Sequence, residues 1–275
     1  MNIRIVAGIL LAVGVVFVLF NLSKVTVEKT DLVSVRSDLM RSLVSCILHV
    51  SGATYRARLV ENTQNCVSQY STITDQSYLT FHTGVCGGTK VFLPFSSDYQ
   101  GQCYRLLIGV GGGTRVEKDL HQRYPLCKIF RIEPDYQTAD KTVGTMIPAA
   151  VGVIAGRLPM TLPHLLTKYV GSTTIHFATI DIHSFDYTLL EAFKFLKPYD
   201  SAGVVFCQID LGLYGDDKQA RGFEFEAFLP GFLADSPYIP IFATELEGVR
   251  IRLTLINAES LECESAFGFS QYFPR

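Results

Sequence analysis

No run of lysine or arginine interleaved with aromatic residues occurs in the 275-residue chain, and its formal net charge is only −2. A nucleic-acid backbone would need such an electrostatic footprint, so no nucleic-acid partner is expected. The seven cysteines contain no paired Cys-x-x-Cys spacing and the six histidines are scattered, so no metal site is assigned. Charged residues are sparse, at 18%, while 48% of the chain is hydrophobic. That balance excludes a disordered chain and is ample for a buried core.

One segment lacks polar side chains altogether. Ile5 to Phe20 contains only aliphatic, Phe, Gly and Ala residues, with Arg4 before it and Lys24 after. It is somewhat shorter than the roughly twenty residues of a typical membrane span, which suits a thinner early-secretory bilayer or a signal peptide. No good small-x-small cleavage site follows, so residues 1–24 are expected to be an uncleaved signal-anchor helix; cleavage would instead give a secreted chain. The short N-terminus with Arg4 and its amine places the body in the ER or Golgi lumen. Cys46, Cys66, Cys86 and Cys103 would form staples in that oxidising compartment, their pairing open. Cys207, inside the apolar run Gly203 to Cys207, reads instead as a small buried hydrophobe.

From Asp31 to Val50, the residues Leu32, Val35, Leu39, Leu43, Val44 and Ile47 recur at helical spacing. Residues 51–100 are Ser/Thr/Gln-rich, with a strand expected at Lys90 to Phe95, and residues 25–100 together read as an accessory region. The domain proper is expected over 101–275. It starts with the apolar run Tyr104 to Ile108, the glycine turn Gly109-Val110-Gly111-Gly112-Gly113, a helix from Thr114 to Tyr124, and a strand Lys128 to Ile132 ending in Glu133-Pro134. Glycines at a strand's carboxyl end let backbone N–H groups and a helix N-terminus approach a ligand. An acid about twenty residues on, at the next strand tip, can accept both ribose hydroxyl hydrogens. Without a ligand, the same residues would be a tight turn and a solvated acid.

Strands and helices then alternate: strands at Thr145 to Val151, Thr174 to Ile182 and Val204 to Leu211, helices at Leu158 to Tyr169, Tyr187 to Leu196 and between Asp217 and Ala234. Such alternation predicts an open, doubly wound α/β sheet. Tyr238 to Leu246 and Val249 to Asn257 are separated only by Glu247-Gly248, which is hairpin spacing and makes the last strand antiparallel. An antiparallel last strand on an otherwise parallel sheet is the Rossmann-like arrangement of S-adenosylmethionine-dependent methyltransferases.

Four elements in this order carry a family resemblance: Ile108 to Gly113, Ile132-Glu133-Pro134, Pro148-Ala149-Ala150-Val151-Gly152, and Phe177 to Ile182. Over roughly residues 100–263 the chain resembles the FkbM-type methyltransferases, in a divergent nematode-like form. The resemblance implies S-adenosylmethionine as cofactor, with Gly109, Gly111, Gly112 and Gly113 under its methionine part, Glu133 on the ribose, Ala150 beside the adenine, and the Asp181 strand end facing the methyl group. The chain departs from the family pattern at Gly109, where an acid is usual, at Arg115, where a small residue is usual, and after Asp181, where His183-Ser184-Phe185-Asp186 replaces a glycine-containing acidic stretch.

Methyl transfer from a sulfonium mainly needs alignment, and a hydroxyl acceptor gains from a base near its proton. His183 falls two residues beyond Asp181, on the same face of a continuing strand, so Asp181 could orient His183 as that base; a polar loop residue or helix cap is the plainer role. Asp186 and Asp210 are reserve acids. The expected function is O-methyl transfer in the secretory pathway to a glycan or small hydroxylated molecule. Two alternatives stand beside it: a membrane-tethered, catalytically degenerate binding protein, and a nicotinamide-dependent oxidoreductase, whose third glycine would fall on Thr114 or Val116.

Overall fold

The computed structural model describes residues 38–39, 41–49, 55–83, 88–109, 115–133, 143–149, 162–181, 203–214, 229–234, 236–246 and 250–273. Its centre is a sheet built from β3 (Cys103–Ile108), β4 (Cys127–Ile132), β5 (Thr145–Ile147), β6 (Thr174–Asp181), β7 (Val205–Tyr214), β8 (Tyr238–Leu246) and β9 (Arg250–Asn257). The spatial order is β5-β4-β3-β6-β7-β9-β8. All neighbours from β5 to β7 pair parallel, whereas β9 pairs antiparallel with both β7 and β8. Since β8 opposes β9, it shares the direction of the rest, and β9 alone is reversed. The chain winds outward from β3 on one side and from β6 on the other, so the order switches between those two strands. In open α/β sheets a ligand crevice forms at that point, outside the carboxyl ends of the strands.

The sequence explains these elements. Interior residues of β6 are buried without a break, as expected for a parallel strand covered on both faces. Edge strand β8 contains Pro240, which has no N–H to donate, and the ladder slips register between Pro240 and Phe242. The expected hairpin of β8 and β9 is present, and the other expected strands appear with ends shifted by a few residues. Within the stretch expected to be helical from Leu158, the described part is one α-turn, Leu162–Leu165, widening into a π-turn at Leu166–Val170. Gly171 ends it at φ 72°, a left-handed conformation suited to glycine.

Residues 51–100 hold more structure than their polar composition suggests. After a short helix at 41–48 (α1), a 16-residue helix, α2 (Tyr55–Tyr70), buries Leu59, Thr63, Cys66 and Val67. A hairpin follows, β1 (Leu79–His82) against β2 (Thr89–Phe92). Leu43, Ile47, Leu59, Val67, Phe81, Phe92 and Leu93 belong to the same hydrophobic core as the sheet. Gln208 on β7 fastens the end of the hairpin: its Oε1 accepts from the Leu93 N–H and its Nε2 donates to the Leu93 carbonyl, both at 2.8 Å. Thr254 on β9 adds a hydroxyl donated to the Val91 carbonyl at 3.1 Å. Each such buried bond contributes about 1 kcal/mol net, and far more is lost if one partner is left alone.

Three disulfides join described cysteines: Cys46–Cys66, Cys103–Cys127 and Cys207–Cys263. The first ties α1 to α2, the second joins β3 to β4 at directly opposed positions. The third corrects the expectation for Cys207. Although buried within an apolar strand, it is bridged to Cys263 on the C-terminal helix Leu261–Phe267, because that helix packs against the sheet where the strand's side chain points. Among the described residues no helix is long and apolar enough to cross a membrane, and Ile5 to Phe20 lies outside them.

A buried histidine links the amino ends of β3 and β6 to the loop before β3. His176 Nδ1 accepts from the Tyr104 N–H at 3.2 Å, which leaves Nε2 as the protonated nitrogen facing the Tyr99 hydroxyl at 2.7 Å; that hydroxyl in turn donates to the Gln102 carbonyl at 2.7 Å. Burial pushes the imidazole down to about 4. The folded value lies below the free histidine value of about 6.5, so between those limits the unfolded chain binds more protons and stability rises with pH. This contribution is complete above about pH 6.5 and is lost as the pH falls toward the folded value, by about 3 kcal/mol at most. Urea melts of the native chain across this window are expected to show that slope, and His176→Gln should flatten it; equal slopes would disprove the assignment.

Candidate functional site

Three carboxyl-end tips meet at the switch point. Gly109 directly follows β3, Glu133 directly follows β4, and Asp181 is the last residue of β6. Gly109 donates its N–H to the Ile132 carbonyl at 3.4 Å, and Glu133 donates its N–H to the Ile147 carbonyl at 3.2 Å, so the tips of β3, β4 and β5 stay joined past their ladders. Ile108 is in register with Ile180, which sets Gly109 and Asp181 opposite each other across the reversal. Gly109 has φ 70°, where a side chain costs about 1–2 kcal/mol, so glycine matches this backbone.

The next described helix in the chain, α3 (Arg115–Arg123), is fixed by a buried charge. Glu117 in its first turn accepts from Arg105 of β3 at 3.0 Å, and both side chains are fully enclosed. Arg105 also reaches the Thr179 hydroxyl on β6 at 3.3 Å, and its guanidinium lies over the Phe92 ring at 5.3 Å. The hairpin thus closes over this arginine while Glu117 draws the start of α3 toward β3. An acid in the first turn also suits the helix dipole.

A second charge cluster lies nearer the crevice. Residues two apart on a strand share a face, so the register pairs Asp181 with Gly212 and Gly212 with Arg252 in one row, and Thr179 with Asp210 and Asp210 with Thr254 in the next. Arg252 Nη2 donates to Asp181 Oδ2 at 2.9 Å, and its Nη1 donates to Asp210 Oδ2 at 2.6 Å. Lys90 from the hairpin stands 3.7 Å from the same Asp210 oxygen. Burial pushes the Lys90 amine below the ordinary lysine range, against the opposing pull of Asp210. The Arg252 and Asp210 side chains are at most 2% exposed, but that of Asp181 is 14% exposed. The cluster therefore runs from core to crevice, with Asp181 at the open end.

Of the residues singled out from the sequence, the structure gathers Gly109, Glu133 and Asp181 at one end of the sheet. Gly111, Gly112, Gly113, Ala150 and His183 lie outside the described residues, although Ala149, next to Ala150, follows β5 on the same side. Asp210, a reserve acid, is enclosed between Arg252 and Lys90. Gly212 and Arg252 were not anticipated. Their signal was an arginine inside Ile251 to Ile256 and an aspartate inside Val205 to Leu211, since a charge within an apolar strand needs a buried partner. Among the described residues no group of three or more His, Cys, Asp or Glu is placed to hold a metal ion. A separate groove of about 610 Å³, lined by Lys118, His121 and Lys128, opens beside α3 and the amino end of β4, away from the tips.

Gly109 offers backbone without a Cβ, and two carboxylates flank it on the strands to either side. The molecule is of α/β class, with a mostly parallel seven-stranded sheet consistent with a Rossmann-like methyltransferase. No protein-family model matches the chain, and no curated protein matches it. Among solved structures it is similar to an antibiotic-related methyltransferase, at 14% identity and a TM-score of 0.31, over 57% of this chain and 88% of that one.

Proposed function

We propose that this chain is an S-adenosylmethionine-dependent methyltransferase, of a divergent FkbM-like kind, that transfers a methyl group to the oxygen of a small hydroxylated molecule or a glycan. The supporting observation is the strand order, with β9 alone reversed between β7 and β8, combined with Gly109 and Asp181 at the carboxyl tips of β3 and β6, which flank the switch point, and Glu133 at the tip of adjacent β4. The cofactor would supply an electrophilic methyl on a sulfonium. Glu133 would hold the ribose hydroxyls, Gly109 would let the backbone approach, and Asp181 would present a carboxylate on the far side of the crevice.

Three disulfides suit an oxidising lumen. With Ile5 to Phe20 as an anchor, the body would work in the ER or Golgi, where glycans and secreted hydroxylated compounds are at hand. His183 stays the proposed base.

The test is calorimetry of the purified lumenal chain with S-adenosylhomocysteine. The folded protein should bind it, and Glu133→Gln should weaken binding about 10- to 100-fold, the worth of hydrogen bonds to a charged acceptor. A folded wild-type chain that takes up no S-adenosylhomocysteine would sink the proposal, and preferential binding of a nicotinamide dinucleotide would redirect it to hydride transfer.

A further inference from the structure

We infer that Arg252 is a positioning residue: acting across the gap at Gly212, it fixes the Asp181 carboxylate at the switch point to receive the ammonium of the methyl donor's amino-acid end. This inference rests on the function proposed above.

The geometry is unusual for neighbouring strands. Asp181 is on β6 and Arg252 on β9, with β7 between them, yet their side chains meet at 2.9 Å. They can do so because the intervening position is glycine. A Cβ built on Gly212 would lie 2.7 Å from Asp181 Oδ1, closer than real contacts allow, and 3.2 Å from its Cγ. The carboxylate therefore occupies the space where the side chain of residue 212 would stand. Gly212 has no positive φ, so backbone conformation does not call for glycine here. The absent side chain makes room for the pair.

Arg252 is in turn held from below. Its other terminal nitrogen is fixed on Asp210, which takes Lys90 as a second cation. A guanidinium gripped at both ends presents a rigid fork, which an ammonium on a flexible stem cannot reproduce. The position of Asp181 is thus set by three side chains, Lys90 of β2, Asp210 of β7 and Arg252 of β9. The Asp181 side chain nonetheless keeps 14% of its surface exposed, at the open end of the cluster.

The class of ligand group follows from where the carboxylate is presented. Glu133 and Asp181 sit on strands two steps apart, about 10 Å by inter-strand spacing, with Gly109 between them. An adenosyl amino acid laid across the tips with its ribose at Glu133 brings its other end to β6. That end carries an ammonium, which a fixed carboxylate recognises by a charge-assisted hydrogen bond.

Gly212→Ala tests this with little other disturbance. Two ligands are titrated by calorimetry into wild type and variant: S-adenosylhomocysteine, and 5′-methylthioadenosine, which keeps the adenosine and sulfur but lacks the amino-acid end. The variant is expected to bind S-adenosylhomocysteine about 10-fold more weakly and methylthioadenosine as wild type does. Asp181→Asn should give the same pattern, and adding it to Gly212→Ala should cause little further loss. Arg252→Lys, which keeps the charge but not the fork, should reproduce the selective loss and decides the matter if the alanine variant does not fold. Equal weakening of both ligands, or of neither, overturns the inference while leaving the proposed function standing. A wild-type chain that binds neither ligand removes the function and this inference with it.

Discussion

Arg252→Met is expected to destabilise the fold by about 3–5 kcal/mol, because it strips the enclosed Asp210 carboxylate, and the partly exposed Asp181 carboxylate beside it, of their shared cation. Asp210 would keep only Lys90, 3.7 Å away and itself desolvated, and Asp181 would lose the partner that holds it at the crevice. Breaking one partner of a buried pair is costlier than deleting the whole pair, since the survivors remain enclosed and unpaired. Chemical denaturation should therefore show partial recovery when Arg252→Met is combined with Asp210→Asn and Asp181→Asn. A single variant within about 1 kcal/mol of wild type would mean that water reaches the cluster and that the pairs are worth no more than surface ones.

That cluster also shows what was legible in the sequence. The parallel half of the sheet could be read because its strands are apolar runs bounded by turn residues, and the reversed β9 because Glu247-Gly248 leaves room only for a hairpin. The tips Gly109, Glu133 and Asp181 could be placed because topology alone carries strand ends to one edge. Side-chain partners were another matter. Arg252 and Asp181 are 71 residues apart, and their meeting depends on β9 inserting beside β7 and on a glycine at the intervening register position. Neither condition leaves a local trace. A glycine within an apolar strand reads only as a weak point until its neighbours on both sides are known.

Helix α2, before residue 100, was not legible for a related reason. Helix α2 carries Asn62, Thr63, Gln64, Asn65, Ser68 and Gln69, poor helix formers or side chains that suit loops equally well, and its buried residues are few. Its helicity is supported by tertiary packing against the core and by the Cys46–Cys66 bridge rather than by propensity. Likewise β1 is only four residues, too short to stand out by alternation, whereas β2 falls in the stretch read as a strand from Lys90; both are held in place by Gln208 and Thr254 of the sheet they cover.

Replacing both Cys207 and Cys263 by alanine should cost about 4 kcal/mol, the loop-closure term for the 56-residue separation of this bridge. The bridge joins the amino-end half of β7 to the helix Leu261–Phe267, whose first turn is capped by the Ser260 hydroxyl accepting from the Cys263 N–H. Beyond it, Phe267 stacks on Phe95 at 4.7 Å and meets Phe177 of β6 at 5.3 Å, while the Tyr272 carbonyl accepts from the Thr72 N–H just after α2. The C-terminal segment thus clamps the loop before β3, the centre of β6 and the end of α2 together. Loss of the bridge should accordingly unfold the chain in one cooperative step at lower denaturant, with hydrogen exchange rising first in the Leu261–Phe267 helix and around Thr72. Faster exchange confined to the helix, with an unchanged denaturation midpoint, would show that aromatic packing alone holds the clamp and that the covalent link adds nothing to it.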